Sequence, residues 1–167
     1  MPPRFSGTIV SVDLNNTEHS GALLDLLNEY SQDPMGDGAP LPEDVRENLI
    51  PRLRGVPAFR GLLAESHGKW VGVAVCFVGF STFQARPRLN IHDLAVSPGH
   101  RGQGVGEALL KAIDRLAEAE GCLTVTLEVR ADNPARRLYL RHGFEAGDPA
   151  TDAMAFWKKR LRPGRAN

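Results

Sequence analysis

The residues with the clearest chemical potential form the run Val96-Ser97-Pro98-Gly99-His100-Arg101-Gly102-Gln103-Gly104-Val105-Gly106. It joins an apolar, strand-like stretch to the start of a strongly amphipathic helix. The first turn of a helix leaves its N–H donors without intrahelical partners, and the macrodipole places about half a positive charge there. A diphosphate can therefore dock on such a junction with little help from side chains. Glycine suits it, because a Cβ at Gly102, Gly104 or Gly106 is expected to hold phosphate oxygens away from the donors.

Spacing separates this loop from other glycine-rich anion sites. A P-loop requires Gly-x-x-x-x-Gly-Lys-Ser/Thr, whereas Val105 and Gly106 follow Gly104 and no lysine is placed to reach a terminal phosphate. The dinucleotide fingerprint asks for a third small residue where Glu107 stands, and for a paired βαβ unit that the surrounding sequence does not supply.

The elements that must position the loop follow from periodicity. Gln103 to Glu120 carries Val105, Leu109, Ala112, Ile113, Leu116 and Ala117 on one helical face, with Gly121 at the place of a C-terminal cap. Leu89 to Val96 and Leu123 to Val129 read as the strands on either side of that helix. Earlier in the chain, Thr8 to Asp13 alternates as a half-buried strand does. Asn15 or Asn16 caps a helix from Glu18 to Tyr30, which Gln32-Asp33-Pro34 ends. A second helix is expected over Glu43 to Leu53, then strands over Phe59 to Glu65 and Lys69 to Phe83 with His67-Gly68 as their turn. Asn133 is expected to cap a short helix ending at Arg141, before a last strand near Ala153 to Leu161. Strands and helices mixed through one core predict an α/β (mixed α+β) fold.

Bulk properties narrow the function classes. A chain of 167 residues with 42% apolar and 24% charged residues predicts one domain, 1–167. The formal net charge of zero argues against the broad basic surface that nucleic-acid binding demands. The longest apolar run, Trp70 to Phe80, is too short to span a bilayer, and Met1-Pro2-Pro3-Arg4 does not lead into a signal-like stretch. A cytoplasmic protein without a membrane partner is expected. Cys76 and Cys122 sit in apolar segments without a CxxC or a histidine run, so neither a metal nor a disulfide framework is expected.

Arg101-Gly102-Gln103-Gly104-Val105-Gly106, preceded by Leu94-Ala95-Val96 and Pro98, resembles the Arg/Gln-x-x-Gly-x-Gly/Ala signature of the GNAT superfamily of acyl-CoA N-acyltransferases. Downstream, Asn133, Tyr139 six residues later and Gly143-Phe144 resemble the second signature of that family. The resemblance is strong from about Ile91 to Phe144 and architectural before it. It implies a splayed, mostly antiparallel sheet of six or seven strands flanked by about four helices, with a cofactor core at about 89–144 and acceptor-side helices at about 15–54. Acetyl-CoA is the implied co-substrate. Its pantetheine arm is expected between the strands Leu89 to Val96 and Leu123 to Val129, against Leu94, Ala95 and Val96. Its pyrophosphate is expected on Arg101, Gly102, Gln103, Gly104, Val105 and Gly106, with Asn133 on the pantetheine and the Tyr139 phenol toward the thioester sulfur. Arg136 departs from the small residue common in the family.

Acyl transfer from a thioester to an amine needs both reactants held together, a polarised carbonyl, removal of the ammonium proton and protonation of the thiolate. A phenol with an ordinary pKa of about 10 suits the last task, which makes Tyr139 the expected acid. His92 and Asp93 lie on the strand that lines the acceptor side. Strand alternation sends them to opposite faces unless a bulge intervenes. Asn90-Ile91-His92-Asp93-Leu94-Ala95-Val96 locally resembles the strand that carries a carboxylate in the diamine acetyltransferase branch. His19, His67, His100 and His142 read as turn or surface residues.

From Asp25 to Glu47, the acidic residues Asp25, Glu29, Asp33, Asp37, Glu43, Asp44 and Glu47 stand against Arg46 alone. Such charge near the acceptor cleft would attract a cationic amine: a polyamine, an aminoglycoside or a basic peptide. The family resemblance also suggests a homodimer. A different function class fits the same cofactor cradle, a non-catalytic acyl-CoA sensor or interaction module, and the intact Tyr139 favours the enzyme.

Overall fold

A computed structural model describes residues 5–146 and 154–161. Its strands are β1 (Thr8–Ser11), β2 (Phe59–Ser66), β3 (Lys69–Ser81), β4 (Arg86–Val96), β5 (Thr124–Arg130) and β6 (Met154–Arg160). Its α-helices are α1 (Thr17–Gln32), α2 (Glu43–Leu53), α3 (Val105–Ala119) and α4 (Arg136–Arg141). The strands form one sheet of six in sequential order, antiparallel throughout except where β4 lies parallel to β5. Parallel neighbours need a crossover, and α3 supplies it.

Local chemistry explains the boundaries. The Asn16 side chain accepts from the Glu18 and His19 amides at 2.9 and 3.2 Å and so opens α1. Pro34 follows Asp33, which closes it. His67 and Gly68, with φ of 52° and 73°, give β2 and β3 the tight turn that matches strand twist. α3 ends in a Schellman arrangement: Gly121, at φ 70°, donates to the Glu118 carbonyl, and Cys122 donates to that of Ala117 at 2.8 Å. Asn133 departs from expectation. α4 begins only at Arg136, and the Asn133 side chain accepts from the Ala135 amide at 2.9 Å, so it shapes the turn that leads into the helix instead of capping the helix itself.

The sheet is covered on both faces. α3 seals one with Leu109, Leu110 and Ile113 against Leu62, Ala74, Leu89 and Val125. α1 and α2 seal the other with Leu23, Leu26, Ile50 and Leu53 against Leu63, Val73 and Val75. Two irregularities shape what lies between. Val75 opposes Asp93 while Cys76 opposes Ile91, so His92 is the extra residue of a bulge on β4. β5 pairs with β4 only from Leu89–Val125 to Ile91–Leu127. From His92 onward β4 pairs with β3 alone, and the sheet opens into the splay that the family resemblance implies.

Candidate active site

The opening between β4 and β5 is a cavity of about 390 Å³ walled by Leu94, Ala95 and Val96 on one side and by Leu127, Val129 and Asn133 on the other. At its mouth the chain makes a 3-10 turn at Pro98–His100, passes Gly102 at φ 73° and Gly104 at φ 87°, and enters α3. Both conformations are left-handed, so a side chain at either position is strained. Gly104 is the N-cap and offers no side-chain acceptor, which leaves the first amides of α3 uncapped by any side chain. A Cβ at Gly102 would meet no atom within 4 Å, so space remains for a ligand's approach. Gly106 has a reason the sequence does not reveal: its Cβ would stand 2.9 Å from Cδ2 of Leu138, so glycine lets α3 and α4 pack closely.

Of the residues expected at the cofactor, Leu94, Ala95, Val96, Arg101, Gly102, Gly106, Asn133 and Tyr139 line this cavity. The other three lie beside it. Val105 is buried in the core at 3% exposure, Gly104 is the N-cap of α3, and the Gln103 side-chain amide donates to the Gly99 carbonyl at 3.0 Å. Arg101 is turned to protein partners, Nε to the Val96 carbonyl at 2.9 Å and Nη2 to Asp33 Oδ2 at 2.7 Å. His100, read from sequence as a turn or surface residue, lines the cavity with Nδ1 buried and without a hydrogen-bond partner among the described residues. A buried polar atom left unpaired is costly. That atom, the uncapped amides and the open face of Gly102 all fit an elongated polar ligand carrying a diphosphate.

A second cavity, about 770 Å³, opens on the α1–α2 side and shares Tyr30, Met35, Ile91, His92, Glu128, Val129 and Asn133 with the first. The bulge decides what reaches it. Past His92, Asp93 opposes Val75 on the α1–α2 face, and the His92 ring meets Phe77 of that face at 5.5 Å between centroids. The two residues therefore serve the same side, which simple alternation forbids. Burial pushes the Asp93 carboxyl above its usual range, and His92 offsets this in part.

Tyr139 is 6% exposed, with its ring edge-on to Phe144 at 5.8 Å between centroids. Burial, and after it the neighbouring Tyr30, push its phenol well above the ordinary range, so it stays protonated at neutral pH. Tyr30 itself is raised by burial and then by the charges of Asp93, Asp33 and Asp37. Tyr30 and Glu128 were missed by the sequence reading although both border the two cavities. Glu128 carried a usable signal: it is a charge that follows four buried residues in a central strand. Among the described residues no group of three or more His, Cys, Asp or Glu could hold a metal ion.

Comparison with known proteins agrees with this geometry. Residues 23–144 match the acetyltransferase (GNAT) family. The chain is 33% identical over 122 residues to the putative [ribosomal protein bS18]-alanine N-acetyltransferase of Bacillus subtilis, covering 68% of this chain and 77% of that protein. It is 43% identical over 58 residues to streptothricin acetyltransferase of Streptomyces lavendulae, covering 34% of this chain and 31% of that protein. In fold it is similar to the PaiA N-acetyltransferase of Thermoplasma acidophilum, solved in complex with coenzyme A, with a TM-score of 0.69 at 18% identity over 93% of this chain and 99% of that one. The chain therefore belongs to the acetyltransferase (GNAT) family and is an acyl-CoA-dependent N-acetyltransferase, with acetyl-CoA as its acetyl donor.

Proposed function

We propose that the chain transfers the acetyl group to a primary amine of a cationic acceptor by direct attack in a ternary complex, with the donor in the β4–β5 cavity and the acceptor in the larger one. The observation that carries this reading is the charge of the larger cavity: among the described residues, Asp37, Asp93 and Glu128 line it against Arg130 alone. Arg130 is in turn paired with Asp132 at 2.8 Å. The acidity differs in origin from the sequence expectation. Of the seven acidic residues counted in the first two helices and their loop, only Asp37 lines this cavity; Asp93 and Glu128 come from the sheet. Asp33 faces Arg101, and Glu29 accepts from Ser97.

The chain's own groups are suited to the steps. Uncapped amides at the start of α3 receive the diphosphate, helped by the helix dipole. The β4 edge from Leu94 to Val96 offers backbone groups to the pantetheine and to the acetyl carbonyl. Tyr139, a protonated phenol in an apolar wall, donates to the departing sulfur. Asp93, His92 and Glu128 face the incoming ammonium, and burial makes the Asp93 carboxylate a stronger proton acceptor than an exposed one. Residues of about 15–54 form the acceptor wall and residues of about 89–144 the donor cradle of a single domain, 1–167. Acceptors of diamine, aminoglycoside or peptide α-amine type all present the required cation, and the relatives named for a ribosomal-protein alanine and for streptothricin are in keeping with this range. A cytoplasmic setting and a homodimer belong to the same reading, resting on the sequence and the family resemblance respectively. No helix among the described residues is long and apolar enough to cross a membrane.

Thiol release from acetyl-CoA with a panel of amines tests the acceptor class. Cationic amines should react faster than neutral amines of equal size, with an advantage that shrinks as salt rises. Equal rates at all ionic strengths would contradict it.

A further inference from the structure

Among the described residues, the side-chain hydrogen bonds that hold the loop over the acceptor cavity, residues 34–42, run to α1 and its C-cap. The Ser31 hydroxyl donates to the Ala39 carbonyl at 2.6 Å, the Leu41 amide donates to Asn28 Oδ1 at 2.9 Å, and the Met35 amide donates to Asp33 Oδ1 at 2.9 Å. Met35, Gly36, Asp37 and Leu41 line the acceptor cavity, so its outer wall is tied to the end of α1.

That end is stapled to the donor side at two points. Ser97 Oγ donates to Glu29 Oε2 at 2.7 Å, and one turn later Asp33 Oδ2 accepts from Arg101 Nη2 at 2.7 Å. Both Ser97 and Arg101 belong to the connection that leads into the α3 amides. The Arg101 guanidinium holds five N–H donors, and its side chain is 50% exposed while that of Asp33 is 14% exposed. Its Nε–H and one Nη2–H are committed to Val96 and Asp33, which leaves the outward donors accessible to a diphosphate on the same peptide.

We infer that Asp33 is a positioning residue that, through Arg101, makes donor binding order the acceptor loop 34–42. This rests on the assignment of the β4–β5 cavity to the donor. A phosphate drawn to one side of the guanidinium fixes its plane, and the plane fixes Asp33, α1's last turn and the wall hung from it. By linkage the effect is reciprocal, so a well-ordered acceptor wall would favour the donor.

Amide hydrogen exchange with coenzyme A as the probe tests this without knowledge of the acceptor. In the wild type, saturating coenzyme A should slow exchange at Ala39 and Leu41, which do not line the donor cavity, by about tenfold, within the usual range of coupling between sites. In Asp33→Asn, calorimetry should show coenzyme A still binding, with affinity lowered by no more than the coupling factor of about tenfold, protection retained at 102–107 and lost at 36–42. A purely structural role for Asp33 would raise exchange in both the free and bound states and leave the ligand-induced difference intact, which would overturn the inference. So would a wild-type loop indifferent to coenzyme A. Should Asp33→Asn fail to fold, Arg101→Gln at saturating coenzyme A reads the same coupling from the other end, and persistent loop protection there would equally overturn it. No coenzyme A binding by the wild type at all would instead remove the donor assignment, and the coupling with it.

Discussion

At the scale of single residues, the site is built from groups whose protonation is set by burial. Tyr139 remains a phenol because ionising it among apolar neighbours is costly, which suits it to the proposed role of donor to the sulfur. Tyr139→Phe keeps the ring against Phe144 and removes only the hydroxyl. Steady-state kinetics should show kcat reduced by about 10²–10⁴-fold with coenzyme A affinity nearly unchanged. Asp93 has the opposite requirement. Its carboxyl is raised above the unfolded value, so its protonated form favours the fold at low pH and that contribution is lost as pH rises through the folded pKa. Asp93→Asn should therefore leave Tm at neutral pH equal to or above wild type while turnover falls; a lower Tm would contradict burial as the cause of the shift.

Elements convert local sequence into these positions, and here the sequence was informative to different depths. α3, its Schellman end and the glycine junction are governed by neighbours in the chain, so spacing alone located them. The bulge at His92 was foreseeable only as a condition, because it depends on how β3 and β4 align. The partnership of Arg101 with Asp33 spans 68 residues and left no local trace. The same holds for Gly106, whose meaning lies in Leu138 of another helix. Gly106→Ala should shift α4, which carries both Leu138 and Tyr139. Because the clash is with the end of a flexible side chain, the stability loss should be about 1 kcal/mol, at the low end of overpacking. Turnover should fall more than stability, and Leu138→Ala in the same chain should recover part of it; equal losses in both would indicate mere overpacking.

For the molecule as a whole, ties between distant segments hold α3 in place beside the β4–β5 cavity. Three distant segments meet at Asp114 of α3, which accepts from His142, just past α4, at 3.1 Å and from Lys159 of β6. These hydrogen bonds outweigh burial and hold the Asp114 carboxyl below its usual range. A lowered pKa contributes stability above the unfolded value, in full at neutral pH, and the contribution is lost as pH falls from about 4 through the folded pKa. Asp114→Asn should cost about 1–2 kcal/mol in denaturant unfolding at neutral pH, given hydrogen bonds from His142 and the Lys159 ammonium that are only part-buried. The difference from wild type should vanish in acid.

The central claim is that acetyl-CoA lies in the gap opened where β4 parts from β5, with its acyl end at the junction of the two cavities. A crystal structure with acetyl-CoA bound tests it most directly. The account predicts diphosphate oxygens on the amides of 102–107, pantetheine along Leu94–Val96, and the thioester sulfur within hydrogen-bonding reach of the Tyr139 hydroxyl. A cofactor seated elsewhere, or one whose thioester points away from Tyr139 and the acidic cavity, would contradict it.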